Sequence, residues 1–351
     1  MEAKTKPLLV VSLLLLAANC VHGESHVPCV FIFGDSLSDN GNNNNLPTYA
    51  KSNYRPYGIN FPNGPTGRFT NGLTTIDFTT QLLGFEKFIP PFANTSGSDI
   101  LKGANYASGA AGILFESGKH MGENIHLGAQ LINHRVIYSR IAMRLGGSEK
   151  AEQYLNKCLY YMNIGSNDYI NNYFLPNFYP ASRIYTPLQF ANLLIDQYSG
   201  HIQMVLWGTQ SLREVGARKM VIVGLGLMGC TPNAFGRYKT NGTCFEGLND
   251  AAFMFNNKLN SLVDQLNTNF SADSKFIFIN STAGSLDSSL GFTVVDAPCC
   301  PSGENGQCIP NETPCQNSTA YVFWDEFHTT QAVNRYTAIG LYNNIKFLFQ
   351  A

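Results

Sequence analysis

Apolar runs alternate with amphipathic stretches along the whole of this 351-residue chain. Five short apolar runs predict buried strands, and the stretches between them repeat apolar residues at helical spacing. Such alternation is typical of a parallel sheet covered by helices on both faces. We therefore predict an α/β fold, a three-layer α/β/α sandwich around a five-stranded parallel sheet, with strands at 28–34, 103–107, 159–164, 219–223 and 275–279.

The helical stretches carry their own start and stop signals. Thr186 and Pro187 suit an N-cap and a first helical position, and Gly84 suits a C-cap. We predict helices at 73–83, 128–145, from 187 onward, at 248–266 and at 329–347, the last with Ala332, Tyr336 and Ile339 facing the core. No linker or internal repeat divides the chain, so we predict one domain over residues 24–351.

The amino terminus has the pattern of a secretory signal peptide. Lys4 and Lys6 precede an apolar run at 8–18, and small residues follow up to Gly23, so we assign the signal to residues 1–23. The run is short for a bilayer span, and no later segment approaches the length of a transmembrane helix. We predict a secreted, extracellular protein. A formal net charge of −1 argues against a nucleic-acid partner, because phosphate binding needs a basic surplus.

Cysteine usage agrees with secretion. Nine cysteines become eight once Cys20 leaves with the signal, and an even number in an oxidising compartment predicts disulfides of open pairing. Zinc is the alternative for the cluster between Cys299 and Cys315, but no histidine stands at finger-like spacing there, and we predict no metal. The N-glycosylation pattern Asn-x-Ser/Thr occurs at Asn94, Asn241, Asn269, Asn280, Asn311 and Asn317.

Polar motifs follow the predicted strands at their carboxyl ends. Ser36 comes after the first strand, Gly109 after the second and Asn167 after the third. In an open α/β sheet these ends meet at one edge, where ligands bind. Asp325 and His328 come just before the last helix, in a loop that returns to the same edge. The sequence thus predicts that these five residues gather in one cleft.

Their chemistry points to acyl transfer. A serine hydroxyl becomes a good nucleophile when a histidine, oriented by a carboxylate, removes its proton. His328 is the best candidate base, and Asp325 lies three residues before it. An Asp-x-x-His pair is also a common helix-start cap, so it gains meaning only together with Ser36. The remaining histidines of the mature chain lie near the amino terminus or beside helical patterns: His26, His120, His126, His134 and His201.

The oxyanion that forms during acyl transfer needs N–H donors. We predict that the main-chain N–H groups of Ser36 and Gly109 and the side-chain amide of Asn167 supply them, with glycine at 109 allowing close approach of the substrate. The alternative is that Gly109 and Asn167 only form turns.

Four segments together resemble a known family. Residues 34–42, which begin Gly34-Asp35-Ser36-Leu37, resemble the first sequence block of the plant GDSL esterase/lipases, members of the SGNH hydrolase superfamily. Residues 105–109, 163–168 and 323–328 resemble the later blocks, in order, so the resemblance spans nearly the whole mature chain.

The resemblance implies a flavodoxin-like SGNH-hydrolase fold and hydrolysis of carboxylic esters without a cofactor. It makes Ser36 the nucleophile, His328 the general base, Asp325 its orienting acid, and Gly109 with Asn167 the oxyanion hole. The implied partner is a small-molecule or polymeric ester. Two positions depart from the family pattern: Ala110 stands where a second glycine is usual, and Thr329 stands where proline is common.

Other functions remain open at this stage. The same residues would serve an acyltransferase, and a secreted binding or defence protein could keep the fold without turnover.

Gly224, Gly226 and Gly229 match a dinucleotide-binding turn, with Glu246 and Asp250 downstream, although they run into 230–232 instead of a helix. Because the chain has no Gly-x-Ser-x-Gly elbow, we expect an exposed cleft in place of a deep lipid tunnel.

Overall fold

A computed structural model describes residues 25–207, 217–241, 243–282 and 288–349; the predicted signal peptide lies outside these residues. The central sheet has five parallel strands in the order β2-β1-β3-β4-β5. This confirms the predicted fold, and the predicted strand positions are correct to within a few residues. The strands are β1 (Val30–Gly34), β2 (Gly103–Asn105), β3 (Leu159–Asn163), β4 (Lys219–Val223) and β5 (Lys275–Ile279).

Helices cover both faces of the sheet. They are α1 (Thr75–Leu82), α2 (Leu127–Leu145), α3 (Ser148–Leu155), α4 (Ser166–Asp168), α5 (Ala181–Ile184), α6 (Pro187–Trp207), α7 (Pro232–Tyr238), α8 (Glu246–Asn269) and α9 (Gln331–Ile345). A π-helical turn spans Tyr169–Tyr173, and short 3-10 turns lie at Phe92–Asn94, Asp99–Leu101, Lys119–Met121, Met228–Cys230, Ser288–Leu290, Ser318–Ala320 and Lys346–Leu348. Among the described helices, none is both long and apolar enough to cross a membrane.

Alternate residues of β1 define the two core layers. Phe31 and Phe33 point to the larger core, where they join residues of α2, α6 and α8. Val30 and Ile32 point to the opposite face, toward residues of α1 and α9. Because both faces are covered, every residue of β1 is buried, which explains its uninterrupted apolar run.

The predicted inner face of the last helix is wrong. Tyr336 and Ile339 are 49% and 46% exposed, and Ala332 is only partly buried. The buried face of α9 instead carries Val333, Asn334, Ala338, Leu341 and Ile345. The helix is rotated this way because the Thr330 side chain caps it by accepting from Val333 N–H, and the Asn334 amide donates to the Leu73 carbonyl.

Four disulfides join Cys29–Cys158, Cys230–Cys244, Cys299–Cys315 and Cys300–Cys308. They use all eight cysteines outside the predicted signal, so the zinc alternative loses its thiolate ligands. Two of the bridges lie in a segment that also holds a small parallel sheet, β6 (Val294–Pro298) and β7 (Tyr321–Phe323), which the sequence pattern did not predict.

A buried ion pair joins the long loop at 54–70 to the first turn of α1. Arg68 donates from Nε to Asp77 Oδ2 at 2.7 Å and from Nη2 to Oδ1 at 2.9 Å. Asp77 lies in the first turn of α1, where it also accepts from the Thr74 N–H at 2.9 Å. Burial opposes ionisation here, but the Arg68 guanidinium and the Thr74 donors hold the pKa of Asp77 below its ordinary value.

Asp77→Ala should destabilise the fold by about 3–5 kcal/mol, because it leaves the Arg68 charge buried without its partner. The measurement is urea unfolding at pH 7. Asp99→Ala, which removes an exposed carboxylate, is the control and should change the free energy of unfolding by less than about 0.5 kcal/mol. Equal effects of the two variants would contradict a stabilising role for the buried pair.

Candidate active site

Three of the predicted residues form a continuous hydrogen-bonded chain. His328 Nε2 lies 2.7 Å from Ser36 Oγ, and His328 Nδ1 lies 2.8 Å and 2.7 Å from the two carboxylate oxygens of Asp325. With Nδ1–H donating to Asp325, Nε2 is the ring nitrogen that accepts from the Ser36 hydroxyl. Asp325 is fully buried and His328 is 7% exposed, whereas Ser36 is half-buried and reachable.

The end of β1 delivers Ser36 to this position. Gln130 on α2 holds both polar groups of Gly34, accepting from its N–H at 3.0 Å and donating to its carbonyl at 2.8 Å. A Cβ at Gly34 would lie 2.7 Å from the Asn163 carbonyl oxygen, so the neighbouring strand requires glycine there. Sequence reasoning missed Gln130, because nothing in a helical pattern marks one polar residue as reaching a strand end.

The carboxylate of Asp325 organises its own turn. Its Oδ1 accepts from the N–H groups of Phe327 and His328, both at 2.8 Å, while Trp324 N–H donates to the His328 carbonyl at 2.7 Å. The turn therefore fixes the histidine backbone and side chain with one carboxylate. Tyr57, which sequence reasoning also missed, donates to the second oxygen of Asp325 at 2.6 Å.

Glycine at 109 makes room for a ring that supports His328. Phe69 packs against the imidazole with ring centroids 5.0 Å apart. A Cβ at Gly109 would lie 2.7 Å from the Phe69 ring and 2.8 Å from the Asn43 amide. The reason for glycine is thus the packing of Phe69, which the sequence did not reveal.

The predicted oxyanion donors differ in whether an acceptor within the protein already binds them. The Ser36 N–H has no acceptor among the described residues. Asn167, in the turn α4, donates to the Ala111 carbonyl at 3.0 Å, which leaves its second amide hydrogen uncommitted to that acceptor. The Gly109 N–H, in contrast, donates to Asp39 Oδ2 at 3.0 Å. In this arrangement the Gly109 N–H, which we expected to face the substrate, is bonded to Asp39.

The asparagine-rich segment after Ser36 is an internal scaffold. Asn42 donates to the carbonyls of Asn105 and Ala107, both at 2.8 Å, and Asn43 donates to the Gly109 carbonyl at 3.0 Å. Both asparagines are buried. They bind the loop after β2 because its carbonyls have no strand partner there.

Asp168, in the segment that follows β3, also binds the loop after β2. Its carboxylate accepts from the N–H groups of Ile113 and Leu114 and from the Ser117 hydroxyl, at 2.8, 3.0 and 2.7 Å. It thereby ties the loop that follows β2 to the turn that carries Asn167. Burial raises the pKa of Asp168 to about 6.

The other histidines lie outside this chain of hydrogen bonds. His134 is fully buried among the rings of Phe31, Phe33 and Tyr160, and its Nδ1 pairs with the Tyr106 hydroxyl at 2.9 Å. Burial lowers the pKa of His134 to about 3, so it is a neutral core residue. Three more lie at the partly buried surface: His120, His126 and His201.

The glycine-rich turn after β4 does not offer a phosphate cradle. Several of its main-chain donors already have protein acceptors: Gly224 N–H donates to the Ile279 carbonyl, and Leu225 N–H donates to the Asn256 side chain. Gly229 N–H likewise donates to Asn249 at 2.9 Å. A dinucleotide turn needs such donors free for the pyrophosphate, so this interpretation is not supported.

A parallel α/β sheet that presents a serine, a histidine and a carboxylate in this order has the arrangement that serine hydrolases use. The family model of the GDSL-like lipase/acylhydrolases matches residues 30–341. Three GDSL esterase/lipases of Arabidopsis thaliana are similar to the chain. The first is 46% identical over 97% of the chain and 94% of its own length, and the second is 46% identical over 92% and 89%. The third is 44% identical over 93% of the chain and 91% of its own length. The chain belongs to the GDSL-like lipase/acylhydrolase family and is a carboxylic ester hydrolase.

A buried carboxyl beside the serine contributes to the pH dependence of stability. Asp35 accepts from the Leu37 N–H at 3.0 Å, while its Oδ2 has no hydrogen-bond partner among the described residues. Burial raises its pKa to about 7, although the Leu37 N–H and His328 work in the opposite direction. Between about pH 4 and 7 the folded protein therefore keeps a proton on Asp35 that the unfolded chain has already released. The free energy of unfolding falls as pH rises through that window.

Asp35→Asn should reduce this pH dependence, leaving the part that Asp39 and Asp168 contribute. We expect the variant to exceed the wild type in the free energy of unfolding by roughly 2–4 kcal/mol at pH 8 and to match it near pH 4, because the amide carries no charge to bury. Urea unfolding at both pH values measures the difference. Asp264→Asn, at an exposed position on α8, is the control; a wild-type pH dependence in Asp35→Asn would contradict the assignment.

Proposed function

We propose that the protein is a secreted esterase that cleaves carboxylic esters through an acyl-enzyme on Ser36, with His328 as general base and Asp325 as its orienting acid. The observation that carries the proposal is the chain of short hydrogen bonds from Ser36 Oγ through His328 to Asp325. Burial of Asp325 and His328 strengthens the proposal, because it keeps water from competing for the carboxylate.

The reaction proceeds in two transfers of the acyl group. Ser36 Oγ attacks the ester carbonyl carbon while His328 Nε2 takes the hydroxyl proton. The bond to the alcohol then breaks, and the leaving oxygen receives that proton from His328. Water, deprotonated by the same nitrogen, attacks the acyl-enzyme, releases the acid and restores the serine hydroxyl.

The oxyanion of each tetrahedral intermediate is held by the Ser36 N–H and by the second amide hydrogen of Asn167. The Asn171 side chain supports this assignment, since it donates to Asn167 Oδ1 at 2.6 Å and so fixes which end of the amide carries the donors. Gly109 joins as a third donor if Asp39 releases its N–H when the substrate binds.

Secretion rests on three features of the chain. Residues 1–23 have the composition of a signal peptide, and residues 24–351 form the mature hydrolase domain in this proposal. Four disulfides suit an oxidising compartment. All six glycosylation sequons have an exposed asparagine: Asn94, Asn241, Asn269, Asn280, Asn311 and Asn317.

The natural ester enters an open cleft. Ser36 is half-buried, and Leu37 beside it is 37% exposed, so the nucleophile faces solvent at the rim of the loops and not at the end of a tunnel. Such a cleft suits esters whose alcohol part is bulky or polymeric, because only the acyl group must reach the serine.

The test uses the chain expressed with its own residues 1–23 in a secreting eukaryotic host and purified from the medium. We expect hydrolysis of p-nitrophenyl acetate and butyrate, and a kcat/KM about 1000-fold lower for Ser36→Ala. The rate should rise with pH through a single imidazole-like ionisation, because neutral His328 must accept the proton.

Several outcomes would contradict the proposal. Equal rates for wild type and Ser36→Ala would show that another group carries the reaction, and retention of the chain inside the cells would oppose secretion. A rate that does not change across the imidazole range would oppose the role of His328. Addition of a simple alcohol measures acyl transfer in the same assay, since the alcohol replaces water as acceptor.

A further inference from the structure

The phenol of Tyr57 touches the carboxylate that orients the histidine. Its hydroxyl lies 2.6 Å from Asp325 Oδ2, the oxygen that His328 Nδ1 also approaches at 2.7 Å. Tyr57 is fully buried, and it comes from the loop at 54–70, far in sequence from the turn at 325–328. One carboxylate oxygen thus receives two donors from separate parts of the chain.

The direction of the Tyr57 hydrogen bond is determined by its second partner. The Cys308 N–H donates to the Tyr57 oxygen at 3.1 Å, so that oxygen is already an acceptor. An ionised Asp325 has no hydrogen to give, and the single phenolic hydrogen therefore points to Oδ2. Burial and the charge of Asp325 hold the pKa of Tyr57 well above its ordinary value, so the phenol keeps this hydrogen at working pH.

The disulfide segment holds Tyr57 in place. Cys308 is bonded to Cys300, whose N–H donates to the Trp324 carbonyl at 2.9 Å, directly before Asp325. Tyr57 packs in one cluster with these cysteines and with Trp324. The phenol, the bridge and the Asp325 turn therefore pack together and are joined by hydrogen bonds, and the phenol is the part of this cluster that reaches the carboxylate.

We propose that Tyr57 is a positioning residue for the reaction: its hydroxyl fixes the plane of the Asp325 carboxylate and withdraws part of its charge, which sets how strongly Asp325 stabilises protonated His328. The inference rests on the proposed function of Ser36, His328 and Asp325. A role in stability alone would require only that the ring fill its cavity and that Cys308 N–H find an acceptor.

Apart from the phenol under test, the ionisable groups around His328 are few and are retained in Tyr57→Phe. Asp325 faces it from its own turn, Asp35 acts on it from the end of β1, and Tyr57 reaches it only through Asp325. Tyr54 lies beside Tyr57 with ring centroids 5.3 Å apart, and its hydroxyl donates to the Cys308 carbonyl at 2.9 Å. Ser36 and the uncharged Phe69 ring complete the contacts.

The first experiment replaces Tyr57→Phe in the full mature protein. Without the phenol, Asp325 keeps more of its negative charge for the imidazolium, so the titration midpoint of His328, measured by NMR, should move to higher pH by roughly half a unit or more. The acidic limb of the kcat/KM profile should move with it. We expect kcat to fall about tenfold with KM little changed, because the carboxylate is less well oriented.

Tyr54→Phe is the matched control. It also deletes one phenolic hydroxyl that bonds to Cys308, but that hydroxyl donates to a carbonyl and not to the carboxylate. It should leave the His328 midpoint unchanged. A wild-type midpoint and kcat in Tyr57→Phe, or an equal shift in Tyr54→Phe, would overturn the proposal.

A second measurement covers the case in which Tyr57→Phe does not fold. Incorporation of 3-fluorotyrosine at position 57 keeps the ring and the Cys308 contact while making the phenol a stronger donor, so the His328 midpoint should move to lower pH. A midpoint that stays at the wild-type value would overturn the proposal. Because the NMR titration needs no turnover, it separates this inference from the proposed function, which fails instead if wild type hydrolyses no ester.

Discussion

A carboxylate removed from water must be matched by donors, and the region around Asp325 is arranged to meet that need. Asp325 is fully buried, yet it accepts from two main-chain N–H groups, from the His328 ring and from the Tyr57 phenol. An unpaired charge at this depth would cost several kcal/mol. Because the donors come from the turn itself and from the loop at 54–70, satisfying the carboxylate also places His328 against Ser36, which lies 292 residues away in sequence.

Buried carboxyls and amides join the other loops of the site in the same manner. Asp39 bonds to the N–H of Gly109, and Asp168 bonds to the N–H groups of Ile113 and Leu114, so the motifs after β1, β2 and β3 are connected without direct strand pairing. This arrangement has an energetic cost. Burial raises the pKa of Asp39 to about 6 and of Asp35 to about 7, so the protein carries acids near the serine that disfavour their charged forms. Asp39, which joins two loops of the site, is therefore also expected to lower stability as pH rises.

Local pattern was sufficient for the five strands of the central sheet and for the longer helices. The strands at β4 and β5 match their predicted bounds, since a buried parallel strand is a plain apolar run. The proximity of Ser36 and His328 could be predicted because strand ends and reactive side chains are both visible in a sequence. The contacts of Tyr57, Gln130 and Phe69 could not be predicted, because a tyrosine, a glutamine or a phenylalanine in a loop or helix looks the same whether or not it contacts a distant residue of the site.

What the sequence did not reveal has equally physical causes. Tyr336 and Ile339 fit a helical stripe on α9, but the cap at Thr330 and the Asn334 network rotate a different stripe inward. Disulfide pairing depends on tertiary proximity: Cys29 meets Cys158 across 129 residues. The Gly109 amide looked free because its acceptor, Asp39, is an aspartate of the first motif whose side-chain direction no spacing reveals.

The central claim is that Ser36 is the nucleophile made reactive by His328. Its most direct test is a fluorophosphonate probe followed by peptide mapping with mass spectrometry, since the probe bonds only to a serine oxygen whose proton is removed by a neighbouring base. The account predicts that phosphorus is attached to Ser36 Oγ and that labelling is lost in His328→Ala. Attachment at another serine, or ester hydrolysis by a protein that the probe leaves unlabelled at Ser36, would contradict it.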